Sequence, residues 1–293
     1  MNKLDLVIFT QYPLSYAPTR LKDEAKKLGL KVKIFDYKKV KNVNNLPSSK
    51  YLILREPDAK NNIYHLRDDI LNHYLLRTTK ILNYKSYLKW SVLDKFLQHK
   101  EFKKANIPHI KLLKLKNTKY PFIVKAKLGS HGSQVFKITK TEELEKVLVN
   151  FKKEDLLVQE FQSSGFDLRV IVLDGSILGI MKRTPRKGQF LSNYSQGGIV
   201  TKYLGKDKDK IKTIAIKTAR HFKLDYVGVD LMKGNDGKWK VLEVNRACQF
   251  HGFEKAIGVN VAQKLINWCI LQGIHEKDIS FSRQDKFKQE KTS

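Results

Sequence analysis

Cysteine is nearly absent from this chain of 293 residues: Cys248 and Cys269 are the only two, at no metal-ligand spacing. A disulfide scaffold and a cysteine-based zinc site are thereby excluded, and both thiols read as reduced side chains of an intracellular, cytoplasmic protein. No apolar run approaches the length of a membrane span, so no membrane association is expected. The opening MNKLDLVIFTQYPLSY has a short apolar run without a cleavage-type ending and reads as a first strand, not a signal peptide. Internal repeats and a Walker-type G-x-x-x-x-G-K-[ST] loop are missing, as is any Ser-His-Asp or Cys-His order. His131 and His251 stand alone, without a partner at metal spacing.

Acidic residues are also scarce, 29 against 57 basic ones, for a net charge of +28. The basic residues are 47 Lys and 10 Arg, spread along the chain beside abundant Asn, Ile and Tyr. That spread resembles compositional bias more than a binding face. No nucleic-acid-binding module accompanies it, so nucleic-acid binding is set aside as the main role. The length suffices for two or three subdomains with sizeable cores.

The most informative stretch present is DYVGVDLMKGNDGKWKVLEVNRACQFHGFEKAIGV, residues 225–259. Two alternating apolar runs flank Asp236-Gly237, a strong hairpin signal. With a two-residue turn, 235 pairs with 238 and Asp230 lies opposite Glu243. Asn245 then points to the same face. Like charges directly opposed are destabilising. A hard cation with oxygen ligands would offset the repulsion, and Mg²⁺ takes one or two carboxylates plus substrate phosphates. The alternative on spacing alone is a polar edge with solvated carboxylates. A loop one residue longer or shorter would break the shared face.

Further back, residues 4–9 and 31–36 read as strands around an amphipathic helix whose Leu21, Ala25 and Leu28 share a face and which Gly29 ends. This β-α-β order implies a parallel sheet. A strand at 51–54 and a helix at about 63–77 follow, and the first domain ends near residue 88. Helices are expected at 91–104, 141–150, 211–224 and about 258–272. Pro108 forces extension. Strands are expected at 121–127 and 155–161, with LGSHGSQVFKI returning as a hairpin partner, and a polar loop at 184–206. The tail from about 276 lacks an apolar period and reads as disordered.

Two more constellations carry chemistry. In LGSHGSQV, Gly129, Ser130, Gly132 and Ser133 would let backbone N–H groups approach an anion, with Lys125 four residues upstream; a flexible hairpin loop fits equally. In FDLRVIVLDGSILGIMKR, a regular turn at Asp174-Gly175 sets Asp167 opposite Lys182 and Arg169 opposite Ile180. Asp167, Arg169 and Lys182 then share one face. Leu168, Val170, Val172, Ile177 and Met181 share the other, and Arg183 falls on that apolar side. The alternative is a solvated face with a cross-strand ion pair of little energetic weight.

Taken in order, these pieces resemble the ATP-grasp superfamily and, within it, the RimK branch of ribosomal-protein glutamate ligases. The matching stretches are YAPTRLKDEAKKLG, DK at 94–95 ahead of NIP, FIVKAKLGSHGSQV, VQEF with FDLRVIV, MKR…GQFLSNYSQGG, and VGVDLM…VLEVN…GFEKAIGVNVA. They run from near residue 8 to about 270. The resemblance implies an α/β (α+β) fold with a Rossmann-like pre-ATP-grasp domain at 1–88. A two-lobed ATP-grasp domain at 89–273 would follow, with a lid lobe at about 119–160, a metal-binding lobe at about 161–273, and a basic tail at 274–293.

The resemblance also implies roles. Lys95 and Lys125 match lysines that hold ATP phosphates. Glu160 and Phe161 match the hinge whose backbone meets adenine, and Asp167 the residue near the ribose. Ser192 and Asn193 match a loop on the phosphate side. Asp230, Glu243 and Asn245 match the ligands of Mg²⁺ (or Mn²⁺), and Arg183 matches an arginine that steadies the transferred phosphoryl group. The implied activity is that of an ATP-dependent, ADP-forming carboxylate–amine ligase. A substrate carboxylate attacks the γ-phosphate, and an amine then displaces phosphate from the acyl-phosphate. The implied partners are ATP, an amino acid such as glutamate and a carboxylate-bearing acceptor (peptide, protein or small molecule); a homo-oligomer stays open.

Two positions depart from the branch. Leu191 precedes Ser192-Asn193 where the branch has Arg, so the lost cation would have to come from Lys182, Arg186 or Lys187. Arg246-Ala247-Cys248-Gln249-Phe250-His251 replaces small residues with Pro-Gly on the substrate side. Arg246 is placed either to meet a carboxylate or to lie on the surface. The competing functions are a nucleotide-binding protein with little ligase activity, motivated by Leu191, and a nucleic-acid-binding protein, motivated by charge alone.

Overall fold

The computed structural model describes residues 3–57, 63–116, 118–129, 134–192, 194 and 197–271. Asn193, residues 130–133 of the Gly-Ser loop and the expected tail at 274–293 lie outside the described residues. The chain forms two compact units.

The first unit comprises residues up to Arg55, Leu66–Leu82 and the chain from Asn260 onward. Its strands are β1 (Leu4–Thr10), β2 (Val32–Asp36), β3 (Ser49–Leu54) and β4 (Lys80–Ile81), in the order β2-β1-β3-β4. All pair in parallel, as the β-α-β reading requires. Leu6, Val7, Ile8 and Phe9 are buried without alternation, which is how a strand covered on both faces reads. Helices α1 (Tyr16–Lys27) and α2 (Tyr64–Leu75) belong to this part of the chain. On α1 the buried apolar positions are Ala17, Leu21 and Ala25, while Leu28 is half exposed because the helix has already ended. Gly29, at φ +72°, donates to the Lys26 carbonyl and Leu30 to that of Ala25, a Schellman cap. Glu24 is buried on the same helix. Bonds from Lys27 and Arg20 hold its carboxyl down at about 2 against the opposing pull of burial.

The helix expected at 258–272 is two pieces. Gly258 takes φ +76° and ends a short helix, and a new one runs over 261–271. Asn260 opens it by accepting from the Gln263 N–H. Asn260 also accepts from Arg20 of α1, within the first unit.

The second unit comprises 56–65 and 83–259. In chain order its elements are α3 (Tyr84–Lys89), α4 (Lys95–Lys104), β5 (Leu112–Leu113), β6 (Phe122–Ala126), β7 (Val135–Ile138), α5 (Thr141–Asn150) and β8 (Leu156–Glu160). Then come β9 (Asp167–Leu173), β10 (Ser176–Thr184), β11 (Ile199–Lys202), α6 (Lys208–His221), β12 (Tyr226–Lys233), β13 (Trp239–Asn245) and α7 (His251–Ile257). One antiparallel sheet runs β5-β8-β6-β7 and closes a small core with α5 through Phe122, Val124, Ile138 and Val147. The other runs β11-β10-β9-β12-β13. One face of that sheet packs Leu168, Val170, Val172, Val227, Val229 and Leu231 on the apolar stripe of α6.

Two sequence expectations shift here. Helix α4 begins at Lys95, not 91, because the Asp94 carboxylate caps it, accepting from the Leu97 N–H at 2.7 Å. The expected polar loop at 184–206 stops at 198, since residues 199–202 pair with β10 as β11. Among the described residues, no helix is long and apolar enough to cross a membrane.

Candidate active site

The β12–β13 hairpin reaches the expected arrangement by an unexpected route. Lys233 pairs with Trp239, so five residues separate the strands where a two-residue turn was expected, and that loop alone would misalign the face. A bulge at Leu242 takes up the extra residue. Asp230 therefore lies opposite Glu243, and Gly228 opposite Asn245. Packing is the reason: Val241 and Val244, three residues apart, both face the core, which a regular strand forbids.

In the β9–β10 hairpin the same device overturns the expectation. Pairing begins as expected, Ser176 with Leu173, but a bulge at Leu178 shifts every later pair. Asp167 lies opposite Arg183, not Lys182, and Arg169 lies opposite Met181, not Ile180. A one-residue slip exchanges the faces. Arg183 thus joins Asp167 and Arg169, while Lys182 turns to the other side, its ammonium 4.5 Å from the Phe166 ring centre. Ile177 and Ile180, again three apart and both on the core, are the sequence signal of the slip.

These registers assemble a buried line of alternating charge. Arg183 donates to Asp167 at 2.5 Å and pairs with Asp230 at 3.0 Å. Arg169, directly opposite Asp230 on the neighbouring strand, donates to both of its carboxylate oxygens, at 2.8 and 2.7 Å. Ser192 donates to the other oxygen of Asp167. Burial alone would raise both carboxyls. At Asp230 the two guanidinium groups outweigh it and hold the carboxyl below its usual range. At Asp167 burial wins against the single Arg183, helped by the nearby Asp230 charge, and the carboxyl is pushed up.

A second group meets at Glu243. The Lys95 ammonium stands 3.7 Å from its carboxylate and donates to the Gly129 carbonyl at 2.8 Å. Lys125, on β6, is buried; burial lowers its ammonium to about 8, against the attraction of Glu243 and with the repulsion of Lys95. Asp230 and Glu243 join the two groups across the hairpin. Asn245 shares their face. Two carboxylates and an amide are hard oxygen donors suited to Mg²⁺, with the lysines beside them for phosphate. Among the described residues no three of His, Cys, Asp and Glu stand together as a metal-holding group.

Glu160 ends β8, and Phe161 follows it, in a different setting. Asn235, in the turn of the β12–β13 hairpin, donates to the Phe161 carbonyl at 3.0 Å and accepts from Ser163 at 3.1 Å, tying the segment after β8 to that turn. The Phe161 ring carries the Lys137 ammonium at 4.3 Å.

Arg246 is buried, not a surface arginine. It meets a carboxylate of its own chain, Glu56, at 2.6 Å, donates to the Trp90 and Ser91 carbonyls, and lies over Tyr87. Of the cations suggested to replace the missing Arg at 191, Lys182 faces away and Arg186 donates to the Gly197 carbonyl.

Sequence reasoning missed two positioning side chains. Gln98 of α4 accepts from the Val244 N–H at 2.8 Å and donates to its carbonyl at 3.1 Å, fixing the outer edge of β13 between Glu243 and Asn245. Asn83 accepts from the Tyr226 N–H and donates to the carbonyls of Tyr226 and Arg246, holding the entry of β12 beside the exit of β13. Neither bond has a local signature.

Residues 67–269 match the model of the RimK-like ATP-grasp domain. The chain is 32% identical over 152 residues to ribosomal protein bS6–L-glutamate ligase of Escherichia coli O7:K1 (strain IAI39 / ExPEC). The match covers 50% of each chain, so this chain spans about half the length of the curated relatives it matches. Among solved structures, the ATP-grasp ligase PsnB complexed with minimal precursor superposes with a TM-score of 0.70 at 17% identity, over 92% of this chain and 100% of that one. A RimK domain protein ATP-grasp from Sphaerobacter thermophilus DSM 20745 gives 0.68 at 16% identity, over 90% and 98%. These likenesses show the fold, and the family match covers well over half of the residues. The chain belongs to the RimK-like ATP-grasp family.

Proposed function

We propose that this chain is an ATP- and Mg²⁺-dependent carboxylate–amine ligase that works through an acyl-phosphate. It joins an amino acid such as glutamate to a peptide, protein or small-molecule acceptor. One observation carries the reading: Lys95 stands 3.7 Å from Glu243, which itself faces Asp230 across a strand pair, while the charge of Glu243 also acts on the buried Lys125. Lysines beside paired carboxylates suit a polyphosphate bridged to a divalent cation. The relative named as a glutamate ligase and the PsnB neighbour solved with a precursor support a protein or peptide acceptor.

In this reading Asp230, Glu243 and Asn245 hold Mg²⁺, which neutralises charge on the phosphates. Lys95 and Lys125 bind phosphate oxygens. Arg183, placed by Asp167 at the site end of β10, steadies the γ-phosphoryl group as the acceptor carboxylate attacks it. Positioning and charge neutralisation supply the catalysis. Glu160, Phe161, Ser192 and Asn193 complete the nucleotide contacts.

The test is Mg²⁺-dependent ADP release, screened over amino acids with candidate acceptors, for wild type and Glu243→Ala. Release that depends on both substrates and falls at least about a hundredfold in the variant is expected. Release unchanged by the substitution would overturn the metal assignment. ATP binding without release for any acceptor pool would place the chain with nucleotide-binding proteins, the outcome Leu191 motivates.

A further inference from the structure

Asp230 and Glu243 face each other across an antiparallel pair, where like charges repel. The line of charges beside them already holds a counter-charge. Arg169 spans both oxygens of Asp230 in a fork geometry that only a guanidinium offers. Its strand position is fixed by direct pairing with Asp230. Its guanidinium lies in a slot walled by Gly228 and Cys248. A Cβ at Gly228 would stand 2.7 Å from the Cys248 Cβ and 3.5 Å from the Arg169 Nε. Arg169 thus stands in the reaction centre without being one of the groups the proposed reaction uses.

We propose that Arg169 is a positioning residue of the reaction centre. It aims the Asp230 carboxylate and supplies the internal counter-charge that lets Asp230 and Glu243 stand opposed before any cation arrives. The inference rests on the proposed placement of a divalent cation between those carboxylates. Two consequences follow from the geometry. In the wild-type protein, Mg²⁺ alone adds little stability, because the repulsion is already offset. Without Arg169 only Arg183, 3.0 Å away, still offsets Asp230, so a cation adds counter-charge that the wild-type protein does not need, and folding becomes Mg²⁺-sensitive.

The experiment compares thermal unfolding midpoints in EDTA and in millimolar Mg²⁺, without nucleotide, for wild type, Arg169→Gln and the core variant Phe222→Leu. In EDTA the Arg169→Gln midpoint should fall by on the order of 10 °C, because a buried carboxylate loses its fork. Mg²⁺ should restore about half of that loss, while leaving wild type and Phe222→Leu within about 2 °C. An equal fall with and without Mg²⁺ overturns the proposal, since a purely structural arginine would behave so. If Arg169→Gln does not fold, Arg169→Gln/Asp230→Asn decides. Removing the charge that needed compensation should restore a folded protein, and continued failure overturns the idea.

No turnover is involved, so the outcome separates from that of the ligase reading. Absent Mg²⁺ rescue beside a Glu243→Ala loss of ADP release sinks only the role of Arg169. Rescue beside undiminished ADP release sinks only the ligase metal assignment.

Discussion

The β9–β10 and β12–β13 hairpins lie side by side in one sheet, turn on Asp-Gly sequences, and each contain one bulged leucine. In β12–β13 the bulge at Leu242 cancels an odd turn, and the expected faces survive. In β9–β10 the turn is regular, nothing cancels the bulge at Leu178, and Arg183 takes the place expected of Lys182. A turn sequence therefore fixes only the first pairs of a hairpin. Beyond them, register follows whichever residues the core claims: Ile177 with Ile180, and Val241 with Val244.

The sharpest way to break this comparison is to neutralise the two neighbours on β10 in turn. Arg183→Met leaves Asp167 and Asp230 buried with one fewer counter-charge. It should cost about 3–5 kcal/mol in urea unfolding and abolish measurable ADP release. Lys182→Met loses only the contact with Phe166, about 0.5–1 kcal/mol, and should leave ADP release near wild type. A larger loss from Lys182→Met than from Arg183→Met would mean the bulge is absent and the regular register correct.

How much of this was legible follows from the range of each cause. Local causes were read well: the β-α-β order, Gly29 as a helix stop, the helix at 141–150 and the two-residue turn at Asp174-Gly175. Site residues named from the family pattern fell into contact as sets: Asp167 with Arg183 and Ser192, Lys95 with Glu243. Causes acting at long range were not read. Gln98 and Val244 are 146 positions apart, and Asn83 and Arg246 are 163 apart. Their bonds join side chains to backbone, so nothing near either residue announces them. The bulges fall between: the three-residue apolar spacing was visible, but a turn dipeptide outweighed it.

The hairpins also differ in what fixes them, and a second substitution sharpens that difference. Charges lock β9–β10, whereas a neutral amide holds the outer edge of β13 at Val244, beyond the backbone bond from Val241 to Pro108. Gln98→Leu should strand the Val244 N–H and carbonyl and cost about 2–3 kcal/mol. Because the edge lies between Glu243 and Asn245, the variant should also need more Mg²⁺ for half-maximal ADP release. Ser192→Ala is milder. It removes one donor from Asp167, which keeps Arg183, so a loss of about 1–2 kcal/mol by urea unfolding is expected.

The smallest effect is a proton. Lys125 is lowered to about 8 by burial, whereas in the unfolded chain it titrates near its ordinary value of 10.5. Between those values the unfolded chain binds the extra proton, so this group makes stability rise with pH across that window and contributes no slope below it. A bound phosphate favours the charged ammonium and raises its pKa again. Nucleotide binding should then take up a fraction of a proton at pH 8–9, and almost none at pH 6.5, where Lys125 is already charged. Titration calorimetry of Mg·ADP in two buffers of different ionisation enthalpy measures this uptake. Lys125→Met should abolish it, and Lys182→Met should leave it intact. Uptake that survives Lys125→Met would move the phosphate-binding ammonium elsewhere, and with it the β6 side of the site.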